Sequence, residues 1–314
     1  MANILNNANA GYHIGTMCLI YRVLRRATKP LTESQLTELC APSTLSRKSD
    51  HKKKFKETVD FWKGEAHCLW KENPDLTLSL IDPTNNDNPN PREISDVVRR
   101  SLFAKKITDI TVDIRSGDKR DGGPANHIEP LLLHVSALIA SGQYLVFSKK
   151  PLEQSGISQF TNKYLESRHI LNGSENKQLI DWLLFLGFME NHNGQYWIDL
   201  SRSISHAITE MMTPKQTMDI QKFITLLGEL LPVVDGGDYQ KQTATIMEKK
   251  DWSFEYPTTV SRSLSHALYR LQVANIIKLM TKSDDPDSIQ LIHPHTSTKA
   301  SISQITYVGG DINA

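Results

Sequence analysis

The sequence predicts an α+β protein, mainly α with small β-hairpins, on three observations. Helical stripes of apolar residues recur along the chain, short alternating segments built around turn residues follow several of them, and the two patterns return in one order. At 314 residues there is room for two or three compact domains of about 100 to 150 residues each. Apolar residues make up 39% and charged residues 23%, so a buried core is within reach and wholesale disorder is excluded.

The first stripe, in Gly15 to Ala27, sets Met17, Ile20, Tyr21, Leu24 and Ala27 on one helical face, with Arg22, Arg25 and Arg26 beside it. Thr32 and Gln35 form a capping-box pair that opens a short second helix through Leu36, Leu39 and Cys40, and Pro42 stops it. A longer helix is predicted over Asp50 to Glu65, where Phe55, Val59 and Trp62 recur at spacings of four and three. Cys68 to Leu80 alternates around Asn73-Pro74-Asp75 and reads as a hairpin. Helix, short helix, longer helix and hairpin is the order of a winged helix-turn-helix unit.

Residues 82–92 are rich in Asn, Asp and Pro, a linker composition, and a helix is expected over Glu93 to Lys105 before a Gly/Asp-rich loop at 116–124. The order then returns. Apolar helices are predicted at His127 to Ser141 and Ser158 to Ser167, followed by a helix from an N-cap serine, Ser174, to Gly187, which stacks Leu179, Trp182, Leu183 and Leu186. Phe188 to Leu200 folds back at Asn193-Gly194 as a hairpin. A third series runs from Lys215 to Leu231, through a weaker helix at Asp238 to Lys249, to a helix opening at Thr258 that turns Leu264, Leu268 and Leu271 inward and Ser263, His266 and Arg270 outward. Ile276 to Met280 and Ser288 to Ile292 are expected to pair as its hairpin. The near-repeat of Ser201–Ile208 (SRSISHAI) at Ser261–Leu268 (SRSLSHAL) has flanks that do not align, so it reads as coincidence.

These patterns divide the chain into a basic winged-helix domain at 1–81, a linker with one helix at 82–124, a second winged-helix domain at 125–212, and a third at 213–314 with a C-terminal tail. No apolar run reaches the roughly 20 residues of a membrane span and no basic-then-hydrophobic leader begins the chain, so a cytoplasmic protein is expected. Three cysteines, Cys18, Cys40 and Cys68, fit buried thiols better than disulfides. With His13, His51 and His67 they lack metal-binding spacings, and no metal or other cofactor is expected.

No residue pattern supports catalysis. There is no nucleophile elbow and no P-loop, and the pairs Gly122-Gly123 and Gly236-Gly237 lie beside aspartates, which repel phosphate. Asp109, Asp113, Asp118 and Asp121, with Lys119, could hold Mg²⁺ in a nuclease, but solvated loop charges account for them more simply. Asp284, Asp285 and Asp287 read as a polar hairpin tip rather than a calcium site. Trp182, Phe185, Phe188 and Trp197 are placed in the core.

Binding signals are stronger. Net charge is only +1, yet residues 1–70 carry eleven Lys and Arg against six Asp and Glu. Arg47, Lys48, Lys52, Lys53, Lys54 and Lys56 cluster at the start of the third helix, with Lys63 further along, and supply phosphate contacts if that helix enters a groove; a solvated helix face is the alternative. In the third series Ser261, Arg262, Ser263, His266 and Arg270 offer hydrogen-bonding groups at a helix start. Double-stranded DNA is therefore the expected partner of the first and third domains, while the near-neutral Glu175, Asn176, Lys177, Gln178 and Asp181 suit packing against a neighbour.

The Trp182–Phe188 segment (WLLFLGF) and the Leu264–Leu271 segment (LSHALYRL), within the helix-hairpin order over residues 127–292, resemble the DpdG proteins of bacterial clusters for 7-deazaguanine DNA modification and phage restriction. The resemblance implies an accessory role in antiviral defence beside helicase and nuclease subunits, carries over no catalytic residue, and does not extend to the basic third helix. The expectation is thus a non-catalytic DNA-binding adaptor. The alternative is a protein-interaction scaffold, a tandem winged-helix partner of a larger ATPase or helicase complex, with homo-oligomerisation open in either case.

Overall fold

The computed structural model describes residues 4–5, 13–42, 49–63, 69–104, 129–142, 156–165, 171–253, 257–283, 285–293, 296 and 298–310. The protein is mainly helical with small antiparallel sheets, an α+β fold. It has two compact units. One comprises Met1–Lys106, Lys119–Leu131 and Lys177–Leu186, the other Ile107–Asp118, Leu132–Asn176 and Gly187–Ala314.

In the first unit α1 (Ile14–Arg26) buries Met17, Ile20, Tyr21 and Leu24, four of the five residues of the predicted stripe. β1 (Leu31–Thr32) follows, a strand too short to leave a periodic signal, and α2 (Glu33–Cys40) opens on the Thr32/Gln35 capping box. α3 (Ser49–Lys63) buries Phe55, Val59 and Trp62 against α1 and α2. The hairpin of β2 (Trp70–Glu72) and β3 (Thr77–Leu80) forms as expected, with β1 added on the far side of β3 to give the order β1-β3-β2. Trp70 secures it to α3 by donating its indole N–H to the Val59 carbonyl at 3.0 Å inside the core.

The stretch 82–90 is not a slack tether. Tyr21 donates its hydroxyl to the Asp82 carbonyl (2.8 Å) and accepts from the Thr84 amide (3.0 Å), Arg22 donates to Pro89 O (3.0 Å), and Arg25 donates to Thr84 O (3.0 Å) and pairs with Asp87 (3.2 Å). Asn90 then caps α4 (Pro91–Phe103), whose Arg99 is buried beside Asp96 and donates to the Leu186 carbonyl at 2.6 Å.

The second unit holds α5 (Glu129–Ser141) from Leu132 onward, α6 (Gly156–Tyr164), the first turn of α7 (Gly173–Leu186), and all later elements. The cap of α7 is Asn172, not Ser174: its Oδ1 accepts from the Ser174 and Glu175 amides, and Glu175 accepts from the Asn172 amide in return. β4 (Met189–His192) and β5 (Gln195–Ile198) pair across Asn193-Gly194, which takes positive φ at both residues as an Asn-Gly hairpin turn requires.

Beyond this hairpin the sequence-based expectation needs three corrections. Ser201–Met211 is a helix, α8, with Ile204, Ala207 and Ile208 buried, so both copies of the octapeptide begin helices, and α8 packs on α11 (Arg262–Val273). Each copy also sets its arginine over a positive-φ glycine just past a helix end. A Cβ on Gly187 would lie 2.7 Å from Arg202 Nε, and one on Gly142 would lie 2.7 Å from Arg262 Cβ. The repeat therefore has a shared structural setting. Secondly, Lys215 to Leu231 is split into β6 (Thr217–Asp219) and α9 (Ile220–Leu230).

Thirdly, the expected final hairpin does not form. β7 (Ile277–Met280) pairs with β10 (Gln304–Tyr307), while β8 (Ile289–Ile292) pairs with β9 (Lys299–Ile302). β10, placed by the sequence in a tail, is the centre of the β6-β10-β7 sheet because it buries Ile305 and Tyr307. α10 (Asp238–Glu248) lies between α9 and α11 in the chain. No helix among the described residues is long and apolar enough to cross a membrane.

Candidate nucleic-acid interface

α3 supplies the densest cationic surface. Its inward positions are Phe55, Val59 and Trp62, and with these fixed, Lys52, Lys53, Lys54 and Lys56 are all exposed in the first half of the helix. The amides of a helix N-terminus add partial positive charge to that end, which favours a phosphate there. Lys53 approaches Glu57 at 3.9 Å, an exposed i,i+4 pair of little strength. Burial, followed by the charge of Lys54, lowers the pKa of His13, which makes the neutral imidazole the favoured form beside these lysines.

Lys63 differs from the other lysines of the predicted set. Its ammonium donates to Glu72 at 2.7 Å and lies 3.6 Å from Asp60, and the Glu72 bond raises its pKa. It joins the end of α3 to β2. Arg47 and Lys48 lie outside the described residues, as do Asp109, Asp113, Asp118, Lys119, Asp121, Gly122, Gly123 and Asp284.

The predicted set on α11 is largely engaged within the fold. Ser261 is the N-cap, accepting from the Leu264 amide at 3.2 Å, and it donates its amide (2.8 Å) and hydroxyl (2.6 Å) to the buried Asp235. Burial raises the Asp235 pKa against these bonds. Ser263, expected to face outward, is buried and donates to the Ile139 carbonyl at 2.9 Å, because α11 turns this face toward the end of α5. Arg270, also expected outward, bonds Glu190 at 2.7 Å and Asp199 at 2.5 Å, clamping both ends of the β4–β5 hairpin to α11. Burial works against its charge, but the carboxylates outweigh that and hold its pKa above the ordinary guanidinium value. Arg262 is exposed and His266 half-buried.

Of the aromatic residues expected in the core, Trp182 and Phe188 are buried, whereas Phe185 and Trp197 are half-buried, and Trp197 stacks on His192 with ring centroids 4.5 Å apart. The alternation of β5 offers the signal: Tyr196 and Ile198 are buried, so Trp197 between them belongs to the other face. Cys18 and Cys40 are free thiols whose pKa values burial pushes up to about 11, far from a reactive or metal-ready thiolate. No group of three or more His, Cys, Asp or Glu suited to a metal occurs among the described residues, and Cys68 and His67 and the His51 side chain lie outside them. Asp285 accepts from the Asp287 amide at 3.0 Å, which is ordinary turn geometry.

Comparison with curated proteins yields no match, and comparison with solved structures yields none either. A DpdG-like family model matches residues 2–285, nine-tenths of the 314 residues and including the basic α3. The chain belongs to the DpdG-like family.

Proposed function

We propose that this protein is a non-catalytic, DNA-binding adaptor of a bacterial DNA-modification or anti-phage system, built from winged helix-turn-helix units in tandem. The family membership supports the defence and DNA-modification setting and a role among several proteins. The observation that carries the DNA reading is the row of exposed Lys52, Lys53, Lys54 and Lys56 on the first half of α3, in a unit ordered helix, strand, helix, helix, strand, strand. In that order the third helix presents side chains to a groove, and lysines there neutralise phosphates. Strands β1-β3-β2, and again β6-β10-β7, place the first strand beside the last, which supports the winged-helix assignment at both ends of the chain. On α11, the exposed Arg262 stays in the proposed contact set on its exposure alone, while Ser261, Ser263 and Arg270 serve the fold.

The test is duplex DNA binding across a salt titration, comparing the parent with a variant changed to Gln at Lys52, Lys53, Lys54 and Lys56. Each lysine that no longer neutralises a phosphate flattens the log K against log salt slope by about 0.9, so the variant's slope falls by roughly 3 to 4 if all four act. An unchanged slope, or no binding by the parent, removes the proposal. The scaffold reading has one observation in its favour, the net charge of only +1, and it predicts the second outcome.

A further inference from the structure

The tip of the β2–β3 hairpin carries a bulky apolar side chain where the backbone suits Gly or Asn better. Leu76 has φ +61° and is 68% exposed. In this left-handed region Gly or Asn is favoured, and the chain uses Asn193-Gly194 at the tip of its β4–β5 hairpin. Leucine there gains nothing from burial and strains the backbone, so the fold gives no reason for it.

The tip is also rigid. Asn73 donates its amide to the Thr77 carbonyl (2.7 Å) and accepts from the Leu76 amide (2.9 Å), and its side chain bonds the hydroxyls of Thr77 (3.0 Å) and Ser79 (3.3 Å). The two acidic groups of the hairpin are occupied: Asp75 is turned back onto the Thr77 amide (3.2 Å) and hydroxyl (2.6 Å), and Glu72 is paired with Lys63. Beside the exposed Lys71 and Pro74, the hairpin projects the apolar Leu76, and it is attached to the helix that carries the exposed lysines.

We propose that Leu76 is an apolar wedge that enters the minor groove of bound duplex DNA and opens a base step, kinking the duplex. Apolar side chains inserted in this way partially unstack the step and bend DNA by roughly 20–90°. The inference rests on the DNA-binding reading above, with Lys52, Lys53, Lys54 and Lys56 supplying the salt-dependent contacts and Leu76 a salt-independent one.

The experiment uses the full-length protein, with Leu76→Gly and Leu76→Asn, both suited to positive φ, and Leu76→Met, which keeps an apolar tip. Short duplexes labelled at both ends report bending by energy transfer, and binding is titrated at several salt concentrations. The expected result is bending by the parent and Leu76→Met, with Leu76→Gly and Leu76→Asn binding about tenfold more weakly at an unchanged salt slope and without the bend. Thermal unfolding of the Gly and Asn variants should match or exceed that of the parent, showing an intact hairpin. If the parent binds DNA and Leu76→Gly binds and bends it equally well, the wedge is refuted while the DNA-binding reading stands. If the parent binds no duplex at any salt concentration, both fall.

Discussion

Replacing Arg270 by Met tests whether this residue serves the fold or the DNA. Asp199 lies at the end of β5 with its side chain 1% exposed, and its Oδ2 faces the Arg270 guanidinium while Oδ1 accepts from the Ser201 amide at 2.7 Å. In Arg270→Met the apolar stem is largely preserved, but Asp199 loses its only charged partner among those described. Removing one member of a fully buried ion pair costs about 3–5 kcal/mol, because the remaining charge is left without compensation. Two features reduce that here. Arg270 is 35% exposed, so solvent screens the pair, and the Ser201 bond survives. The bond to Glu190, itself 29% exposed, adds little. The expected loss is therefore about 2–3 kcal/mol, or a drop of roughly 5–10 °C in Tm for a unit of this size. Urea unfolding of the parent, Arg270→Met, Asp199→Asn and the double variant measures it, and the double-mutant cycle should return a coupling of at least about 1 kcal/mol. A single-variant loss below about 0.5 kcal/mol, or additive single variants, would refute the clamp. A fall in the DNA salt slope of Arg270→Met with stability unchanged would return Arg270 to the interface that its place in the sequence suggested.

Asp235 predicts a pH effect. Burial raises its pKa above the ordinary value in the folded protein, so its contribution to stability is fully present below that ordinary value and is lost as pH rises through the folded pKa. Asp235→Asn removes the titration, so its stability relative to the parent should improve as pH rises from about 3 to 7, and parallel pH profiles would contradict this. Gly237→Ala should destabilise by several kcal/mol, since a Cβ there would lie 2.3 Å from the Pro232 carbonyl oxygen, and backbone cannot yield as a side chain can. An unfolding midpoint in urea equal to the parent's would show that the loop after α9 moves freely.

Local rules made much of the fold legible. Spacings of three and four put Met17, Ile20, Tyr21 and Leu24, and Phe55, Val59 and Trp62, on their buried faces, and the Thr32/Gln35 box and Asn193-Gly194 turn formed where their chemistry requires. The lysines of α3 were legible for the same reason: once the apolar positions of a helix are known, the remaining faces are exposed. Capping was harder to place. Asn172 and Ser174 are both N-cap residues by type, and only the helix start chose between them.

What the amino-acid order determined alone was thus the α+β class, most helix positions, the polar and apolar faces, and a concentration of cations near the N-terminal end. Tertiary structure decided which strands pair and which polar side chains stay available. β7 lies closer in sequence to β8, but pairing with β10 buries Ile305 and Tyr307 in the centre of a sheet, and that gain depends on residues far apart in the chain. Likewise Ser263 and Arg270 occupy polar positions of an amphipathic helix, yet the end of α5 and the carboxylates of the β4–β5 hairpin claim them. A helix has only one outside in a sequence pattern, whereas in a packed protein several elements compete for it.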